Sequence, residues 1–225
     1  MHTVPLLVIM YAGLTHAFEA DHLLAVSTIV SQRSRVMPAL KDGMLWGLGH
    51  TSTILMIGLL MLVFKINIAA PTFSYFEAAV GLMLVSVAIY RLSKLFRKGE
   101  ISVHRHEHEH SGANHLVHVH MPLEATQKNL HKASYGIGLV HGLAGSGALV
   151  VLAMTQFSTP QSGIFYLFLF GMGSVAGMLL AAALFSIPFS KKVINIPLLR
   201  NSMVLLSSGL CLVYGFYVIY HNLAA

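Results

Sequence analysis

Four ionisable side chains stand within the seven residues H-A-F-E-A-D-H, His16 to His22, inside a run that is otherwise apolar from Val4 to Val30. Two imidazoles and two carboxylates so close together form a donor set for a borderline divalent transition metal such as Ni²⁺, Co²⁺ or Zn²⁺. At 100° per residue, His16, Glu19 and His22 share one helix face, and Asp21 lies about 100° to one side. On a regular helix Asp21 is therefore a supporting group, unless a local break brings it in. An acid inside a membrane costs about 2.5–3.5 kcal/mol on insertion scales and usually marks an ion or proton path. A proton relay or a buried ion pair joining two helices would use the same residues, so both stand beside the metal reading.

Further histidines lie in apolar runs. His50 sits in G-L-G-H-T-S-T and His141 in G-L-V-H-G-L-A-G-S-G-A. Either could equally serve as a hydrogen bond between helices. The segment H-R-H-E-H-E-H supplies His104, His106, His108 and His110, and His115, His118 and His120 follow. Its composition marks an auxiliary metal-binding tract or a solvated linker, and it cannot build a packed core. Met1 and His2 offer an amine, a backbone nitrogen and an imidazole, a nitrogen-rich set suited to Ni²⁺ or Cu²⁺. Fourteen residues of helix place His2 about 21 Å from His16, so this would be a separate entrance site.

These residues must be positioned by membrane helices. The chain is 56% hydrophobic and only 10% charged, against about 25% charged in soluble domains. Six apolar runs, about 4–30, 44–64, 75–93, 134–157, 163–187 and 201–221, are each near the roughly 20 residues a bilayer needs. Such runs must be helices, because nothing alternates as a barrel strand does. The expected fold is all-α, a polytopic membrane protein of six spans. The start lacks a basic segment and a small-residue cleavage site, so the first run is expected to remain a span. No P-loop occurs, which excludes a nucleotide-driven pump. The net charge of +6 lies mostly in connections and forms no basic helix with interleaved aromatics, so nucleic acid is excluded as a partner. The single cysteine, Cys211, excludes an internal disulfide.

All Lys and Arg except Lys65 fall in the connections after runs one, three and five. The positive-inside rule puts those connections, including the His-rich one, in the cytoplasm and both termini outside. The two halves also resemble each other. G-L-T-H at 13–16 answers G-L-V-H at 138–141, G-L-G-H-T-S at 47–52 answers G-M-G-S-V-A at 171–176, and G-L-M-L-V at 81–85 answers G-L-C-L-V at 209–213. I-N-I at 66–68 recurs at 194–196 in the same order. Each half holds three runs, so the halves would be inverted repeats: residues 1–96, a His-rich loop 97–132, and residues 133–225. His141 is then the counterpart of His16, while Ala144, Ser146 and Gly147 replace Glu19, Asp21 and His22. Inverted repeats of this kind are typical of secondary transporters that bind substrate near the midplane.

H-A-F-E-A-D-H-L resembles the signature of the nickel/cobalt transporter family, and G-L-G-H-T-S resembles that family's second motif. H-G-L-A-G-S-G-A resembles its urease accessory, UreH-like branch. The resemblance implies passage of Ni²⁺ as substrate, with Co²⁺ the alternative, through an inner-membrane protein. His16, Glu19, Asp21, His22 and His50 match the motif positions. Cytosolic nickel-enzyme maturation proteins are the implied partners, beside the ion and the bilayer. A metal-binding accessory protein that moves no ion, and an intramembrane metalloenzyme using a metal-bound water, are the competing functions. The second is disfavoured by the lack of a nucleophile or substrate-binding motif.

Overall fold

A computed structural model describes residues 6–33, 35–66, 68–96, 123–157, 159–189 and 197–224. Within them the chain is helical throughout: α1 (Leu6–His16), α2 (Ala20–Val30), α3 (Val36–Gly58), α4 (Ala70–Phe96), α5 (Leu123–Gln156), α6 (Pro160–Ser186) and α7 (Pro197–Leu223). A π-helical turn, Leu59–Val63, extends α3. Four helices are long and apolar enough to cross a membrane, or five if the bent pair within α5 is one span. The first apolar run differs from the continuous helix expected of it. It is two helices of 11 residues each, α1 and α2, and each is shorter than a span.

The break has a local cause and a tertiary one. Glu19 is extended, at φ −67° and ψ 157°. The amides of Phe18 and Glu19 turn back to Thr15 O and His16 O, three residues away, in place of helical bonds. α1 is also held closely by α6. A side-chain carbon on Gly13 would run into the Phe170 carbonyl, and one on Gly173 into the Met10 carbonyl. Ser174 Oγ donates to Gly13 O at 3.2 Å. Small residues at such crossings let helix backbones touch where lipid offers no hydrophobic drive for association.

α3 and α5 use the same device. Gly138 sits on the Trp46 carbonyl and Gly142 on that of His50, while Thr53 Oγ1 donates to Leu139 O at 2.9 Å. In both pairs, α1 with α6 and α3 with α5, position rises along both chains together, so the helices run parallel. α3 meets α6 the other way, with Gly43 at Met178 and Ala182 and Gly58 at Leu167. α4 and α7 are likewise antiparallel, since Gly81 meets Gly215 and Cys211 Sγ contacts Leu84 O at 3.5 Å. α6 begins on Thr159, whose Oγ1 accepts from Ser162 N, with Pro160 in the first turn.

The crossings make a paired prediction. Gly142→Val would drive a branched side chain into the His50 carbonyl and Thr53, an overpacking cost of about 1–3 kcal/mol. Gly136→Ala, where nothing lies within 4 Å, serves as its control. Thermal unfolding in detergent should show a lowered midpoint for the first and no change for the second.

Where α2 joins α3, a buried charge cluster ties three elements together. Arg33 Nε meets Asp42 Oδ2 at 2.5 Å and Arg33 Nη2 meets Oδ1 at 2.8 Å. His131 Nδ1 on α5 reaches Asp42 Oδ1 at 2.6 Å. Arg91 Nε on α4 donates to Ser31 Oγ at 3.0 Å.

Candidate metal centre

The break in the first run brings its polar residues against α3 and α5. The ring centroids of His16 and His22 are 4.6 Å apart, those of His16 and His50 5.4 Å, and those of His22 and His50 5.2 Å. One nitrogen from each of the three rings lies within 4.8 Å of the others. Small ring rotations bring such a set around one ion with metal–nitrogen bonds of about 2.0–2.1 Å. Gly145 keeps the adjoining space open, because a methyl group there would stand 3.3 Å from His16 Nε2.

The hydrogen bonds determine which nitrogens face that space. His16 Nδ1 is paired with Glu19 Oε1 at 2.9 Å and His22 Nδ1 with Asp21 Oδ1 at 2.8 Å. A carboxylate on one imidazole nitrogen fixes the tautomer, raises the basicity of the other and aims it, as in many metal sites. The Nε2 atoms of His16 and His22 and both nitrogens of His50 are buried with no partner in the protein. Each such group costs about 1–3 kcal/mol if left unsatisfied. These nitrogens have the chemistry to act as ligands.

Asp21 continues the network. Its Oδ2 accepts from His141 Nε2 at 2.9 Å, so Asp21 bridges His22 and His141. Asp21, His22 and His141 form a second compact set of possible ligands sharing His22. In that set His22 Nδ1 and His141 Nε2 are hydrogen-bonded to the Asp21 carboxylate, while His141 Nδ1, like His22 Nε2, is buried without a partner. Asp21 is therefore drawn in by the helix break, while the Glu19 side chain is 59% exposed and reaches the site only through His16. The seven histidines from His104 to His120, and Met1 and His2, lie outside the described residues.

Two residues at the site escaped the sequence reading. Trp46, the only tryptophan, lies one helical turn before His50 and stacks on His22 at 5.7 Å and 25°. Its spacing from His50 was the available signal. Glu77 on α4 is within electrostatic reach of Asp21, His141, Glu19 and His16. It is the only acid in its apolar run, and that could have flagged it. At 1.5 Å per residue α1 and α2 each cover about 16 Å, roughly half of a hydrocarbon core of about 30 Å.

No protein-family model and no solved structure matches the chain. Two chloroplast proteins of Arabidopsis thaliana, FOR GROWTH AND FERTILITY 2 and 1, are each 26% identical over 75% and 74% of the chain. The matched region covers only 43% and 45% of those two proteins. The urease accessory protein UreH of Bacillus sp. (strain TB-90) is 34% identical over 209 residues, 93% of this chain and 87% of that protein. Identity of that extent places the chain in the UreH family of urease accessory proteins.

Proposed function

We propose that the protein is a secondary transporter of a divalent transition metal, with Ni²⁺ as its cargo and Co²⁺ the alternative. The ion would be bound at mid-membrane by His16, His22 and His50. The observation that carries this reading is the set of buried, unpartnered imidazole nitrogens converging from α1, α2 and α3. Glu19 and Asp21 orient two of the rings, and His141 anchors Asp21 from α5. α1 ends at the cluster, and the carbonyl end of a helix favours a cation. Relationship to a urease accessory protein favours nickel.

The transporter reading includes six crossings in two inverted halves, with α1 and α2 together forming the first. The packing directions support it. In such a fold the first and fifth crossings run parallel, as do the second and fourth, while the third and sixth run antiparallel. The observed pairs α1–α6, α3–α5 and α4–α7 have these directions. With the termini outside, the Arg33–Asp42–His131 cluster and the His-rich 97–132 segment would lie on the cytoplasmic side, where that segment could collect metal for maturation proteins.

Trp46 makes the centre testable, because the only indole in the chain stacks on a proposed ligand. Ni²⁺ should quench its fluorescence at one ion per chain, also after deletion of residues 104–120, and the same protein in vesicles should carry Ni²⁺ across the bilayer. Lack of quenching in the loop-deleted protein would remove the site. Quenching without flux would favour the reading of an accessory protein that binds the metal but moves none.

A further inference from the structure

The chain has eight acidic residues, and none follows Glu124. Outside the His-rich connection and the start of α5 there are four: Glu19, Asp21, Asp42 and Glu77. Asp42 is held by Arg33. Glu19 and Asp21 are bonded to histidines, and Glu77 is the one with no role yet.

Glu77 continues the inward stripe of α4. Val80, Leu84, Ala88 and Arg91 are all buried, and each lies within about 60° of Glu77 around the helix at 100° per residue. Val80, Leu84 and Ala88 pack in the same cluster as Ala17, Trp46 and Ala144, and Trp46 stacks on His22. Glu77 is half-buried at the end of that stripe. Among the described residues it forms no hydrogen bond or ion pair. A carboxylate on the inner face of a membrane helix carries an insertion cost of a few kcal/mol, and no cation among the described residues pairs with it to offset that cost. The charges that act on it are those of Asp21, His141, Glu19 and His16. Asp21 remains 21% exposed and Glu19 59% exposed. Both carboxylates therefore keep part of their surface accessible beside the histidines they orient.

We propose that Glu77 is a steering residue: its negative charge draws the divalent cation toward Asp21 and the histidines. The proposal rests on the metal centre described above. Glu77 need not coordinate the ion in its final position. A negative charge in low-dielectric surroundings raises the local cation concentration and acts mainly on the association rate, in a salt-dependent way.

Stopped-flow quenching of Trp46 by Ni²⁺, with the whole protein in detergent, separates the steps. Glu77→Gln should slow association about tenfold at low ionic strength and leave the dissociation rate close to that of the native protein. The difference should shrink in high salt. Glu77→Asp, which keeps the charge, should restore most of the rate. Equal association rates for the native protein and the Glu77→Gln variant at low salt would overturn the proposal, as would an equally slow Glu77→Asp variant. A faster dissociation rate would also overturn it, by making Glu77 a ligand. If the Glu77→Gln variant does not fold, the native protein decides: an association rate indifferent to salt is incompatible with steering. Absence of any native quenching removes the metal centre itself, an outcome distinct from an unaltered rate in the Glu77→Gln variant.

Discussion

His22→Ala is expected to abolish Ni²⁺ binding and uptake while leaving the helical bundle assembled. His22 is the ring common to both ligand sets. Its Nε2 faces the proposed ion position, and its Nδ1 links through Asp21 to His141 on α5. Removing it takes one of three nitrogens from the ion and also breaks the link between α2 and α5. Loss of an outer hydrogen-bond partner typically costs about 10–100-fold in metal affinity, and loss of the ligand together with its link must cost more. His141→Ala, which removes only the far end of the relay, should fall within that range of about 10–100-fold. Equilibrium quenching of Trp46 measures both. The His22→Ala variant loses the ring that stacks on the indole, so direct Ni²⁺ binding by calorimetry on the loop-deleted protein must accompany it. Near-native affinity in the His22→Ala variant would dismiss the three-histidine centre. Equal and complete losses on replacing His22 and His141 would instead make His141 a ligand.

The polar cluster was legible because ionisable residues are rare in this chain. Their types named the chemistry, and no apolar surroundings explain them otherwise. Their division of labour was not legible. A helix drawn at 100° per residue puts Glu19 between His16 and His22 and turns Asp21 away. The chain instead breaks at Ala17–Glu19, with no Gly or Pro in those three residues to announce it. The last turns of α1 lie directly on Gly173 and Gly177 of α6, and such a contact between distant segments has no local signature. Glu77 was hidden for a similar reason. Its stripe on α4 is evident in the spacing of Val80, Leu84 and Ala88, but only the packing shows that the stripe joins the cluster that holds Trp46. The all-helical character and the apolar runs needed only composition, whereas the pairing of helices needed the positions of glycines on both partners. Gly138 and Gly142 are small residues in a run of many, and their meaning appears only when Trp46 and His50 are seated on them.

Asp42→Ala should be among the most destabilising single changes in the protein. Arg33 and Asp42 have side-chain exposures of 3% and 2%, so neither charge can turn to solvent when the other is lost. Removing one partner of a buried pair costs about 3–5 kcal/mol, because an uncompensated charge stays behind. For a chain of this size that lowers a thermal midpoint by on the order of 10 °C. The double replacement Arg33→Met with Asp42→Leu should recover most of the loss, since an apolar pair of similar volume often does as well as the ion pair. If Asp42→Ala alone leaves the midpoint unchanged in detergent, the pair carries no net stability. The consequence for the metal is separate. Asp42 precedes His50 on α3 by eight residues, about 12 Å, and His131 precedes His141 on α5 by ten, about 15 Å. The contact between Asp42 and His131 therefore bears on the axial register of two parallel helices that carry His50 and His141 further along. The double variant lacks that contact even where its stability returns. A weaker Ni²⁺ affinity in a protein of native midpoint would show that the cluster holds His50 in register with His141. A native affinity would show that the glycine crossings at 138 and 142 suffice to do so.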